Sequence, residues 1–192
     1  MTLTDAQIDR YSRQIIVPRV GGRGQERLLA ARIILAGDAR DIEAPLAYLV
    51  GAGVGTILLK LSDGQPTFTE VRELNSDVTV ADELNAPIDL ALMIIGSESA
   101  RKIADEIVND RDGQSLVIAH LDAPGKIVVI PGAQGSLTLD AGFGARSEAA
   151  DFIAMLATAE AFKLIAGYAE NPSSATIAID FDGYETRVRV NP

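Results

Sequence analysis

Residues 32–63 read RIILAGDARDIEAPLAYLVGAGVGTILLKLSD, and the order of residue types lays out strand, tight turn, helix, glycine-rich turn and strand. Four apolar residues, Ile33 to Ala36, stop at Gly37, the pattern of a fully buried parallel strand that feeds a helix. Asp41 is placed to cap that helix, and Ile42, Leu46, Leu49 and Val50 fall on one of its faces. Gly51, Gly53 and Gly55 then turn the chain into Thr56 to Leu61, and they read as backbone devices rather than ligand contacts. Such a βαβ unit is the first half of a Rossmann-type sheet.

In that sheet the turn after the first strand is where a phosphate sits, because free N–H groups and the helix dipole both point at it. A dinucleotide or ATP loop needs glycines there so that the backbone can approach the phosphates closely. The turn here is Gly37-Asp38-Ala39-Arg40-Asp41-Ile42, with Gly37 as its only glycine. Asp38 and Asp41 put carboxylates where anionic oxygens would lie, and like charges about 4 Å apart repel by roughly 1 to 4 kcal/mol. The expectation is a nucleotide corner that has been filled in. Arg40 is expected to pair with its neighbours Asp38, Asp41 or Glu43.

A chain of 192 residues is long enough for one well-buried domain, expected over 1–192: a helical arm at 1–31, core βα units at 32–145, and a long helix plus hairpin at 146–192. With 47% hydrophobic and 23% charged residues the composition is that of a soluble globular protein. The net charge of −10 argues against nucleic acid or an anionic membrane as partner. There is no cysteine, which excludes disulfides, thiolate nucleophiles and cysteine-bound zinc. No apolar run approaches the length of a membrane span and no basic segment precedes an apolar one, so a cytoplasmic location is expected.

Upstream of the central unit, Thr4 caps a helix expected from Asp5 to about Ile15, with Ile8, Tyr11 and Ile15 on one face. Pro18 and the Gly21-Gly22 pair break it, and a second helix carries Gln25 to Ala31 into the first strand. Downstream, Ile88 to Ile95 is continuously apolar and belongs at the sheet centre. Ser97 caps an amphipathic helix through Asn109, whose apolar face is Ala100, Ile103, Ala104 and Ile107. Strands are expected at Ser115–Ala119 and Lys126–Ile130, and the glycine-rich stretch 132–144 reads as a mobile surface loop. A long helix spans about Ser147 to Gly167, and the chain closes with a hairpin of 176–181 and 184–190 around Asp182-Gly183. His120, the only histidine, has no second ligand or clear carboxylate partner in the pattern and reads as structural.

The segments YSRQIIVPRVGGRGQERLLAARIILAG and YLVGAGVGTILL together resemble the ThiF, MoeB and HesA group of adenylyltransferases, relatives of the ubiquitin-activating enzymes. The matching residues are Tyr11, Arg13, Gln14 and Ile15, the Gly24-Gln25 pair, and Ala52-Gly53-Val54-Gly55. EAFKLIAGY near the end resembles the family's C-terminal helix. The resemblance implies a Rossmann-like, mostly parallel sheet with helices on both faces, an N-terminal helical segment and a C-terminal antiparallel hairpin. It also implies ATP-dependent adenylation of the C-terminal glycine of a ubiquitin-like protein or sulfur carrier, with Mg²⁺ and cations sharing the charge.

Carried over residue by residue, Gly37 matches the first glycine of the nucleotide loop, but Ala39, Arg40 and Ile42 stand at the other positions. The ribose-binding acid falls on Leu61, and Asp63 matches the second acidic position. Arg72 aligns with an arginine of the family site, and Ile95-Gly96-Ser97 lacks the family's metal-side aspartate. The lysine-bearing helix and the third strand of the family are expected to be largely deleted. Asp63 and Arg72 read either as remnants of a site or as exposed loop charges. Arg13 reads either as a surface arginine or, by the resemblance, as the residue that reaches a partner's ATP in trans.

The expectation is therefore a degenerate adenylyltransferase-fold protein with no metal and no cofactor. It acts as a non-catalytic or half-site partner in a homodimer or a heterodimer with a family subunit, with a ubiquitin-like sulfur carrier as a further partner. The alternatives are an active adenylyltransferase using ATP and Mg²⁺ and, third, an unrelated nucleotide-binding oxidoreductase, which lacks its G-x-G-x-x-G.

Overall fold

Strand order across the sheet is β3-β2-β1-β4-β5-β6-β7-β8, with the first five mutually parallel and the last three antiparallel. The strands are β1 (Arg32–Gly37), β2 (Thr56–Leu61), β3 (Thr79–Ala81), β4 (Leu90–Ile95), β5 (Ser115–His120), β6 (Gly125–Ile130), β7 (Ala175–Asp180) and β8 (Glu185–Val190). The helices are α1 (Asp5–Arg10), α2 (Ser12–Ile15), α3 (Gly21–Ala30), α4 (Ala39–Ala52), α5 (Thr69–Arg72), α6 (Glu98–Asn109) and α7 (Ala150–Ala166). The structure is a computed structural model that describes residues 2–63, 68–83, 86–110, 113–123, 125–132, 144–168, 173–180 and 185–190. The expected loop over 132–144 and the Asp182-Gly183 turn lie mostly or wholly outside these residues.

Side-chain alternation along the central strands splits the core in two. Ile33, Leu35, Leu90, Leu92 and Ile94 face α4 and α7, while Ile34, Ala36, Ala91, Met93 and Ile95 face α6. Both faces are covered, which is why these strands read as unbroken apolar runs. The expected face of α4 is confirmed, since Ile42, Leu46, Leu49 and Val50 are all fully buried. None of the described helices is long and apolar enough to cross a membrane.

Three expectations need correction, and a fourth is made exact. The first helix is two: Tyr11 leaves the helical conformation at φ −100° and ψ 14°, which lets its ring, 1% exposed, lie over Gly53. The Gly21-Gly22 pair starts α3 instead of breaking the chain before it, because positive φ at Arg19 (73°) and Gly21 (58°) reverses the chain ahead of the helix. The third strand, expected to be largely deleted, is indeed cut down to the 3 residues of β3, paired in parallel with β2. Asp41 is not the helix cap: Asp38 holds the N-cap position, with extended backbone and no side-chain bond to the helix, and Asp41 lies buried in the first turn.

The arm is fastened by the very residues that carry the family resemblance. Tyr11 donates its hydroxyl hydrogen to Asp77 (3.0 Å) and accepts from Asn75 Nδ2 (2.9 Å), while Arg10 bonds Asn75 (3.1 Å). Gln25 Nε2 donates to the Ala52 carbonyl (3.0 Å), satisfying the C-terminus of α4. Gly24 sits so close to α7 that a Cβ would meet the Ala166 carbonyl at 3.2 Å. At Gly53, φ is 82° and a Cβ would fall 2.6 Å from the Tyr11 ring, so a side chain is excluded twice.

Gly53→Ala is accordingly expected to cost about 1 to 3 kcal/mol of stability, read from urea unfolding. Burial, assisted by Asp77 and opposed by the Asn75 hydrogen bond, holds the Tyr11 hydroxyl above the usual phenol range. Below about pH 10 the phenol is protonated in both states; above it the unfolded chain loses the proton first, and stability falls as pH rises. Tyr11→Phe is expected to flatten that alkaline decline, measured as unfolding free energy across pH.

Candidate functional site

The strand order reverses between β1 and β4, since β1 leads by way of α4 to β2 on one side and β4 leads by way of α6 to β5 on the other. In open α/β sheets ligands bind in the crevice beyond the carboxyl ends of such strands. Here the crevice is formed by Gly37-Asp38 after β1, Ser62-Asp63 after β2 and Gly96-Ser97 after β4. Gly37 takes φ 153°, and a Cβ on it would fall 2.5 Å from the Ile94 carbonyl oxygen and 2.9 Å from Ile42. Internal packing alone therefore demands a glycine there.

Two carboxylates of the corner are held by donors from the chain itself, and the third by an ion pair. Asp63 accepts the backbone N–H of Ala39, the first residue of α4, at 2.6 Å, which is the position an anionic ligand would take at a helix N-terminus. Asp38 accepts hydrogen bonds from the hydroxyls of Ser97 (2.8 Å) and Ser62. Asp41, its side chain fully buried, lies against Gly96 so tightly that a Cβ there would stand 1.8 Å from Oδ2.

Asp41 is neutralised by Arg146, whose Nη2 comes within 2.8 Å of Oδ1, and more loosely by Arg40, whose Nε is 3.5 Å away. The approach from Arg146 is an ion pair rather than an aligned hydrogen bond: both Asp41 oxygens and Arg146 Nη1 are buried without a hydrogen-bond partner. Arg146 is brought to the corner by backbone. Its residue pairs with Asp122 in a β-bridge, and Ser147 N–H donates to Leu121 O (2.7 Å). Its guanidinium also reaches the exposed Asp151 at 3.2 Å.

Of the residues singled out from sequence, Gly37 and Asp63 meet in this corner, where Ser62 N–H bonds Gly37 O at 3.1 Å. Arg13 does not join them: it is solvent-exposed on α2, in the arm fastened at Asn75 and Asp77. Arg72 ends α5, and its side chain lies outside the described residues. Arg40 pairs with Asp41, one of its three expected neighbours. His120 closes β5 and is buried. Sequence reasoning missed Arg146, Ser62 and Ser97 as partners of the corner carboxylates. The position of both serines just past a strand's carboxyl end is a usable signal, whereas nothing local marks Arg146.

As folded, the corner does not fit a triphosphate. It presents carboxylate oxygens where phosphate oxygens need donors, and among the described residues no group of His, Cys, Asp or Glu is placed to hold a metal ion.

No protein-family model matches the chain. A sulfur carrier protein adenylyltransferase from Thermus thermophilus is 48% identical over 58 residues, which are 30% of this chain and 21% of the relative. Over those 58 residues the chain is similar to a sulfur-carrier adenylyltransferase. Only about a fifth of that adenylyltransferase is spanned by the match. Two crystal structures match over nearly the whole chain. PaaA covers 100% of this chain and 76% of its own at TM-score 0.67 and 17% identity. Escherichia coli MccB crystallised with ATP covers 97% and 72%, also at TM-score 0.67 and 17% identity. The Rossmann-like, mostly parallel sheet with C-terminal antiparallel strands expected from the adenylyltransferase resemblance is thus the observed fold.

Arg146→Ala, which strands a buried carboxylate, is expected to lower stability by about 2 to 3 kcal/mol. Adding Asp41→Asn should recover much of that loss, and a double-mutant cycle in urea would measure the coupling.

Proposed function

We propose that this chain is a non-catalytic or half-site partner in the activation of a ubiquitin-like or sulfur-carrier protein, built on an adenylyltransferase fold. The observation that carries the reading is the crevice between β1 and β4, where Asp38 and Asp63 are hydrogen-bonded to the chain's own donors and Asp41 is ion-paired with Arg146. Charge neutralisation around an α-phosphate depends on donors and cations aimed at the developing charge. Arg146 and Arg40, the cations at this corner, face Asp41 instead. Gly37 and Asp63 are in this reading vestiges of an ATP site, and neither ATP nor Mg²⁺ is required.

What remains available is the surface. Arg13 is exposed on the arm, and we assign it a role in trans, at the nucleotide site of a partner subunit of the same fold, in a homodimer or heterodimer. Arg72 has the weaker claim to such a role. The whole chain acts as one domain of this type, in the cytoplasm, with neither nucleic acid nor membrane as partner.

A second reading is an active ATP-dependent adenylyltransferase with an altered loop. It is favoured by the sulfur-carrier adenylyltransferase relative and by the neighbour crystallised with ATP.

Calorimetry with ATP and Mg²⁺ separates the two: no saturable heat is expected from the free chain, and binding with density against Gly37 to Ile42 in a co-crystal would overturn the first reading. Pull-down with mass spectrometry, backed by light scattering, should recover a specific adenylyltransferase or carrier protein. Arg13→Ala is expected to leave the fold intact and to slow adenylation by that partner.

A further inference from the structure

Handedness assigns each crossover of the sheet to a face. The steps β1 to β2 and β2 to β3 run one way across the sheet, and α4 and the residues of α5 pack on the α7 side. The steps β3 to β4 and β4 to β5 run the other way and belong on the side of α6. The β3 to β4 connection is only residues 82–89, and a crossover that carries a helix needs about 10 to 12 or more. The place beside α6 where a crossover helix would lie over β1 and β2 has therefore no helix of this connection to fill it.

A groove of about 570 Å³ marks that place. Its floor is Ile34, Ile88, Ile103 and Ile107, all in or against the α6-side core. Along its rim stand Glu106 and Asp110, both exposed, with Lys60 opposite. We infer that this groove takes an amphipathic helix from a partner chain, apolar on the side that meets the isoleucines and basic along the edge that meets Glu106 and Asp110.

Three observations select this occupant. β1 is hydrogen-bonded on both sides, and β2 is covered by β3 over Thr56 to Leu58, so an added strand finds no free ladder along that part of the groove. The last two turns of α6, from Ile103 on, offer a wall about 10 Å long, which suits a short helix lying alongside at the usual spacing of about 8 to 10 Å. Two carboxylates against one lysine, on a chain of net charge −10, favour a cationic partner face. The groove shares no residue with the corner of Gly37, Asp38, Asp41 and Asp63, so the inference stands or falls apart from the proposed function.

The test uses the full chain and two synthetic helical peptides of about 15 residues with identical leucine spacing. One is flanked by lysine and arginine and the other by glutamate, each labelled for fluorescence anisotropy. The basic peptide is expected to bind saturably and the acidic one about fivefold or more weakly, as two exposed ion pairs would give. The double variant Glu106→Lys, Asp110→Lys changes only exposed groups and should reverse the ranking at unchanged thermal unfolding. Ile103→Ala should weaken the basic peptide. Equal affinities, binding of neither peptide, or a ranking indifferent to the charge reversal would overturn the inference. So would a self-dimer by light scattering that Ile103→Ala dissociates, since a second copy would then be the occupant.

Discussion

A buried carboxylate held close against the guanidinium of Arg146 is the constraint on which this structure turns. Taking Asp41 out of water costs several kcal/mol unless a countercharge comes with it, and that countercharge is Arg146, held in place by a β-bridge to Asp122. The pair ties together elements far apart in the chain: the start of α4, the Gly96 turn after β4, and the segment that leads into α7. It also fixes the chemistry of the corner. With Asp63 on the first N–H of α4, Asp38 on the two serines and Asp41 packed on Gly96 against Arg146, the carboxylates of the crevice at the strand-order reversal are all engaged by the chain.

The residues that match the adenylyltransferase pattern divide by what they do here. Tyr11, Gly24, Gln25 and Gly53 are packing and hydrogen-bonding devices that clamp the arm onto α4 and α7. The positions that depart from the pattern cluster at the corner after β1. A shell can keep its shape while its corner changes, because the two sets touch different parts of α4: its C-terminus holds the arm and its N-terminus holds the carboxylates.

Much of the fold was legible in sequence because its signals are local or periodic. Strands buried on both faces appear as apolar runs, and the Ser97 cap, whose Oγ accepts the Ala100 N–H at 3.1 Å, needs only a serine ahead of an amphipathic stretch. β3 escaped because 3 residues show no period. The break at Tyr11 escaped because its cause, Asn75 and Asp77, lies in another part of the chain. At the corner the crowding of Asp38 and Asp41 was visible, but not its resolution. Sequence showed two acids in a turn, whereas the fold shows one bound to hydroxyls and the other to Arg146, a contact that exists only once the segment before α7 has folded back over β5.

An open sheet has two margins, and both are defended here. β3 is too short to template another chain's strand. β8 is longer and carries Val188 and Val190, 63% and 61% exposed, next to bare backbone. Arg187 and Arg189 alternate with those valines on the opposite face, so a second copy approaching edge to edge would set like charges against one another. Neutralising them would remove that repulsion and leave the exposed valines of β8 open to pairing with another copy.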